Sequence, residues 1–140
     1  PQEAVGILEA EDQRGHVHHA FFKEAVLGRY YAICNCCACC CGAMQAQRNG
    51  VPMLASSGYT AHIATEECVA CGSCREVCQF HALSAAEDGT TRVDAANCMG
   101  CGVCVSHCPQ EAIQLELTPA RGIPLEIYRL MEQAAAEQTN

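Results

Sequence analysis

The sequence predicts a small α+β protein folded around an internal repeat. An N-terminal helix/strand cysteine-rich segment precedes the repeat and a C-terminal helix follows it. Three observations lead there. Cys68, Cys71, Cys74 and Cys78 recur as Cys98, Cys101, Cys104 and Cys108, each offset by 30 positions. Gly72 and Gly102 recur in step, as do Ala82-Leu83 and Ala112-Ile113. Strand-like and helix-like stretches alternate in short pieces, with turn residues between them.

Taken in order, residues 2–14 read as a helix with Val5, Leu8 and Ile7 on its apolar side and Gly15 as a stop signal. Residues 16–22 and 29–34 are rich in β-branched and aromatic side chains and read as two strands. Between them KEAVLG reads as a turn or a helical fragment. After the run CNCCACCCGAM, residues 45–60 carry Asn49-Gly50, Pro52 and Ser57-Gly58, and read as a linker. From Ala61 each half of the repeat reads as short strand, cysteine run, one or two helical turns, short strand. Glu87-Asp88-Gly89 makes the hairpin turn between the halves. Residues 124–137 read as a helix with Pro124 in its first turn and Ile127, Leu130, Met131 and Ala134 on one face. The expected organisation is a cysteine-rich segment over 1–60 with its linker at 45–60, a repeat domain over 61–117, and a tail helix within 118–140. A repeat of this kind predicts a pseudo-twofold pair of half-domains.

Cysteine makes up 14 of the 140 residues, far above ordinary usage. A disulfide scaffold, a zinc protein and an iron–sulfur protein compete for that composition. Residues 1–15 are acidic and lack the apolar core of a secretory signal. The most apolar stretch, Tyr30 to Met44, is shorter than a bilayer span. A protein of the reducing cytoplasm, without a membrane span, is the expectation. Net charge is −8, with Lys23 the sole lysine, which argues against nucleic acid as a partner. The chain starts at Pro1 with a helical pattern almost at once, which favours a piece of a longer protein.

The two runs are Cys68-x2-Cys71-x2-Cys74-x3-Cys78 and Cys98-x2-Cys101-x2-Cys104-x3-Cys108-Pro109. An iron–sulfur cube offers four iron corners, each taking one thiolate, and two-residue gaps let a tight loop wrap three of them. Glycine beside the second cysteine keeps side-chain bulk away, so backbone N–H groups can approach the sulfurs. Cys74 and Cys78 read as one helical turn apart on the same face. Zinc ribbons separate their cysteine pairs more widely, so two uninterrupted runs of four fit zinc poorly.

Residues 61–117 resemble the bacterial two-[4Fe–4S] ferredoxins of clostridial type, with all eight ligand positions present. The resemblance implies a low-potential one-electron carrier, usually serving anaerobic metabolism. It also implies crossed ligation. Cluster I then takes Cys68, Cys71, Cys74 and Cys108, and cluster II takes Cys98, Cys101, Cys104 and Cys78. Gln79 departs from the family, which usually has proline there, while Pro109 is kept.

Upstream, Cys34, Cys36, Cys37, Cys39, Cys40 and Cys41 form a candidate third metal site. Cys34-x2-Cys37-x2-Cys40 repeats the spacing of the downstream runs, and Cys36-x2-Cys39 overlaps it. A third iron–sulfur cluster, a zinc ion, or thiols that are redox-active or structural are all open readings. Cys41, a histidine or another chain could supply the fourth ligand. His16, His18 and His19 lie on the preceding strand, His18 and His19 facing opposite ways. The segment is similar to one found in longer, uncharacterised bacterial 4Fe–4S proteins. His81 and His107 read as neighbours of the clusters rather than ligands.

No phosphate-binding glycine loop, nucleophile elbow or catalytic carboxylate pair is present. The chain therefore reads as an electron carrier rather than a catalyst by itself. Its expected place is a module or subunit of a larger oxidoreductase, handing electrons to a redox partner protein or an upstream domain. A redox- or metal-sensing module is the alternative, and a small reductase built on the front cysteines is a third.

Overall fold

The computed structural model describes residues 1–23, 29–124, 126, 128, 129, 132, 135 and 136. Helix α1 spans Gln2–Gln13 and ends at Arg14. Gly15, with φ of 76°, turns the chain out of it. No residue of α1 is buried. Val5 and Ile7, expected on a packing side, are exposed, and Leu8 is half-buried. The helix is held at its C-terminal end, where Gln79 Nε2 donates to Gly15 O at 2.9 Å.

Strands β1 (Val17–Lys23) and β2 (Arg29–Cys36) pair antiparallel, with an irregularity between Phe21 and Phe22. The expected turn over 24–28 lies outside the described residues. In this register His19 stands opposite Cys34 and His18 opposite Asn35. Helix α2 then spans Gly42–Arg48. This corrects the reading of 45–60 as linker throughout: its first residues are helical. Ala43, Met44, Gln45, Ala46 and Gln47 are strong helix formers, and the helix stops where Asn49-Gly50 begins the loop.

The repeat contributes β3 (Tyr59–Ile63), α3 (Ser73–Val77), β4 (Leu83–Ala85), β5 (Thr91–Val93), α4 (Val103–Ser106) and β6 (Ile113–Leu117). Its pairing is exchanged between the halves. β3, which opens the first half, pairs with β6, which closes the second; β4 pairs with β5. Continuing the two ladders, Ala64 N–H donates to Ala112 O and Asp94 N–H to Ala82 O. Backbone geometry repeats with the cysteines. Ala70 and Gly100 have φ of 57° and 64°, Gly72 and Gly102 85° and 83°, His81 and Glu111 53° and 54°. Gly100 must be glycine for a second reason: a Cβ there would lie 2.3 Å from Ser57 Oγ and Tyr59 O.

One expectation about the repeat fails. Cys74 is helical, but α3 ends at Val77 and Cys78 is extended, with φ −71° and ψ 101°. The two cysteines do not share a helix face, and the chain turns away between them.

Two small cores result. Ala61, Ile63, Ala82, Leu83 and Ile113 cluster with Cys74, Cys98 and Cys104 inside the repeat. The second core joins Val17, Ala38 and Met44 of the front segment to Phe80, Met99 and Val103 of the repeat. Burying each aliphatic side chain contributes roughly 1.5–3 kcal/mol, so Met44 and Val17, the most enclosed, are what seats the front segment.

After β6 a single 3₁₀ turn, Pro119–Arg121, lets Arg121 Nη2 donate to Cys98 O at 2.8 Å. Tyr128, Arg129, Glu132, Ala135 and Ala136 have helical backbone. The expected apolar stripe of Ile127, Leu130, Met131 and Ala134 lies outside the described residues. Among those described, no helix is long and apolar enough to cross a membrane.

Candidate metal centres

The left-handed residues Gly72 and Gly102 open α3 and α4. Each short helix starts two positions after the second cysteine of its run and carries the third. Cys74 and Cys104 thereby become buried, whereas Cys71 and Cys101 stay exposed. The fourth cysteine of each run falls just beyond the helix, where the chain has already left it.

Two clefts follow from this placement. One is lined by Cys68, Cys71, Cys74 and Cys108, with Ile63 and Ile113 among its apolar walls. The other is lined by Cys78, Cys98, Cys101 and Cys104, with Phe80 and Leu115 among its walls. Each thus receives three cysteines of one run and the last cysteine of the other. No three of these eight sulfurs lie within 4.8 Å of one another, since among the described residues only Cys37, Cys39 and Cys40 form such a group.

Backbone donors reach the second cleft. Ala61 N–H points at Cys98 Sγ (3.5 Å) and Ala82 N–H at Cys78 Sγ (3.3 Å). In the first, the Cys74 thiol donates to Thr91 Oγ1 at 3.6 Å, and Arg75 Nη1 donates to the same oxygen at 3.3 Å. Thr91 is buried, so its hydroxyl is fixed beside the sulfur.

The thiols of the second cleft resist ionisation. Desolvation pushes Cys104 up to about 12, helped by repulsion from Cys101, Cys78, Cys98 and Cys74. Cys101 is pushed up to about 11, again first by desolvation, then by Cys78 and Cys98. Cys101 is exposed as a residue, so it is crowding around its sulfur, not enclosure of the whole side chain, that raises it. Cys71 goes the other way: hydrogen bonds from Ser73 lower it. Four thiolates in one apolar cleft become tolerable only around a cationic core, which inverts the local preference for the neutral thiol.

Neither His81 nor His107 lines either cleft. His81 Nδ1 lies 3.2 Å from Arg48 Nη2. The His107 ring lies within hydrogen-bond distance of Val103 O (Nδ1, 2.9 Å) and Gln13 O (Nε2, 3.3 Å).

The front cysteines divide. A disulfide joins Cys37 and Cys39, and Cys40 Sγ lies 3.8 Å from Cys37 Sγ. Cys36 and Cys41 lie outside this group, and the Cys36 thiol is pushed up to about 11, chiefly by desolvation and then by Cys41 beside it. Cys34 and the candidate histidines stay outside the sulfur group. His16 Nδ1 is 2.5 Å from Glu11 Oε2, and His18 Nδ1 is 2.8 Å from Asn35 Oδ1.

Sequence reasoning missed Gln79. Its Nε2 donates to Gly15 O and its Oε1 accepts from Ala38 N–H, both at 2.9 Å. One side chain, next to Cys78, therefore ties the end of α1 and the middle of the front cysteine loop to the repeat. Proline, which the resemblance leads one to expect there, could make neither bond. The departure from proline was the available signal.

No curated protein matches the chain. Residues 61–115 match the 4Fe-4S dicluster domain family. A dicluster domain implies two [4Fe–4S] clusters, and the residues present fit them: two clefts, four thiols in each, apolar walls and N–H donors at sulfur. Small two-stranded sheets and short helices give the segment a ferredoxin-like build. Within this chain, residues 61–115 are an iron–sulfur, metal-binding, electron-transport segment.

Proposed function

We propose that the chain transfers single electrons through two [4Fe–4S] clusters with crossed ligation, as a module or subunit of a larger oxidoreductase. Cys68, Cys71, Cys74 and Cys108 hold cluster I; Cys98, Cys101, Cys104 and Cys78 hold cluster II. The observation that carries this reading is the lining of the two clefts, three cysteines from one run and one from the other. When bound, the clusters supply reversible one-electron oxidation and reduction. The residues supply the rest. Eight thiolates fix the two sites on a pseudo-twofold pair of half-domains. Apolar walls exclude water, and the N–H groups of Ala61 and Ala82 favour added negative charge at Cys98 and Cys78.

The acidic surface, net −8, suits a redox partner with a basic docking patch. A cytoplasmic setting in anaerobic metabolism agrees with this chemistry. The front run adds a further metal centre beside the clusters.

Iron and acid-labile sulfide per chain after anaerobic purification test the reading. About eight of each, with two reducible centres in electron paramagnetic resonance, are expected. About four would mean that one cleft is not a cluster site.

The redox-sensing alternative has one observation in its favour, the Cys37–Cys39 disulfide beside an exposed Cys40. Reversible metal loss at the front run, with residues 61–117 still folded, would favour it.

A further inference from the structure

We propose that Cys37, Cys39 and Cys40 form a site for a single thiophilic metal ion, distinct in kind from the two cluster clefts. This deepens the reading of a further metal centre at the front run by fixing its ligands and its nuclearity.

Spacing separates the two kinds of site. Ligands about 2.3 Å from one tetrahedral zinc stand roughly 3.8 Å apart. Cys37 Sγ and Cys40 Sγ are 3.8 Å apart, and Cys39 Sγ, joined to Cys37 Sγ by the disulfide, completes a group of three within 4.8 Å of one another. Thiolates on separate iron corners of a cube stand much further apart, and the eight cleft cysteines form no such close group.

The loop is also built as a site. Gln45 Nε2, on α2, donates to Cys39 O at 3.1 Å, and Cys41 N–H donates to Cys37 O at 3.2 Å. Ala38, buried at the loop's centre, is held by Gln79. The backbone is thus anchored from both sides while Cys39 and Cys40 remain exposed, which provides an entry path. Cys36 and Cys41 lie outside the group, so the fourth position is left to water or an incoming ligand.

The Cys37–Cys39 disulfide is the competing state of the same sulfurs. A dithiol reductant opens it by exchange: two S–H bonds form on Cys37 and Cys39 as the reductant's own disulfide closes. A divalent ion then replaces the three thiol protons, leaving a tris-thiolate complex of charge −1 and three protons in solution. Oxidation of the pair removes two of the three ligands, so the site is open only in the reduced chain.

The test uses the full chain, loaded anaerobically with iron and sulfide, reduced with a dithiol, exposed to zinc and desalted. About eight irons and about one zinc per chain are expected, with three sulfur neighbours at about 2.3 Å and one lighter neighbour in zinc-edge X-ray absorption. The triple variant Cys37→Ser, Cys39→Ser, Cys40→Ser should keep its iron and lose the zinc. Failure of the reduced chain to hold zinc, or its retention by the triple variant, would overturn the proposal. So would about twelve irons with zinc excluded, because the front centre would then be a cluster. Iron short of eight, with one zinc kept on three sulfurs, would sink the dicluster reading and leave this one standing.

Discussion

The side-chain oxygen of Gln79 accepts a hydrogen bond from the backbone N–H of Ala38 at 2.9 Å, across 41 positions of sequence. Gln79 follows Cys78, and Ala38 sits between Cys37 and Cys39. The lining of one cleft and the front sulfur group are therefore separated by one side chain.

Gln79→Ala should loosen that connection without emptying the clefts. Losing both hydrogen bonds leaves the N–H of buried Ala38 unpaired, a cost of about 1–3 kcal/mol. Amide exchange at Ala38 should rise by one to two orders of magnitude while iron per chain stays constant. Unchanged exchange at Ala38 would show that the bond holds nothing in place.

Cys78→Ser should damage the cluster that the Cys98–Cys104 loop serves and spare the one served by Cys68–Cys74. Its sulfur lines the cleft of the other run. Electron paramagnetic resonance of the reduced variant should retain one of two centres, and adding Cys98→Ser should change little further. Loss of the other centre on adding Cys98→Ser would reverse the assignment.

Anaerobic chelation of iron should abolish the cooperative structure of residues 61–117. The core there consists of five aliphatic side chains and three cysteines, too little apolar surface for independent stability at this size. Metal binding then supplies much of the folding free energy. Native circular dichroism surviving in the iron-free chain would contradict this.

Gly100→Ala and Gly72→Ala should differ, although their positive φ angles are alike. A Cβ at Gly100 meets Ser57 Oγ and backbone Tyr59 O at 2.3 Å; at Gly72 the nearest atom is Arg75 Nη2 at 2.9 Å, the end of a flexible side chain. Both pay about 1–2 kcal/mol for the left-handed backbone. Gly100→Ala must also move a strand, so it should cost at least about 2 kcal/mol more. Rates of iron loss to a chelator should rank Gly100→Ala fastest, then Gly72→Ala, then the unaltered chain.

What could be read from the sequence was whatever repeats or alternates locally. The offset of 30 gave the strands their correspondence, Ile63 with Val93 and Leu83 with Ile113, but not their pairing, which joins Ile63 to Ile113 and Leu83 to Val93. The two front strands announced themselves by composition. Helix α2 did not, because the cysteine run before it and Asn49-Gly50 after it drew the segment towards loop. The geometry of Cys78 was misjudged because i, i+4 spacing implies a shared face only if the helix continues, and α3 stops at Val77. Gln79 was visible as a departure but not as a clamp, since its two partners lie 41 and 64 positions away. Separation of Cys37, Cys39 and Cys40 from the other front sulfurs depends on loop conformation, which spacing alone does not encode.

The exchanged pairing of the halves imposes an order of events on synthesis. The cleft lined by Cys68, Cys71 and Cys74 lacks its fourth wall until Cys108 has emerged from the ribosome, and β3 has no partner until β6 follows. The other cleft contains Cys78 early but waits for Cys98, Cys101 and Cys104. A nascent chain stalled near residue 95 would therefore present four free thiols of the first run and an unpaired strand. With the ligands proposed above, metal delivery would come only after Cys108 has been made, and the thiols already made would need protection from oxygen and stray metal until then.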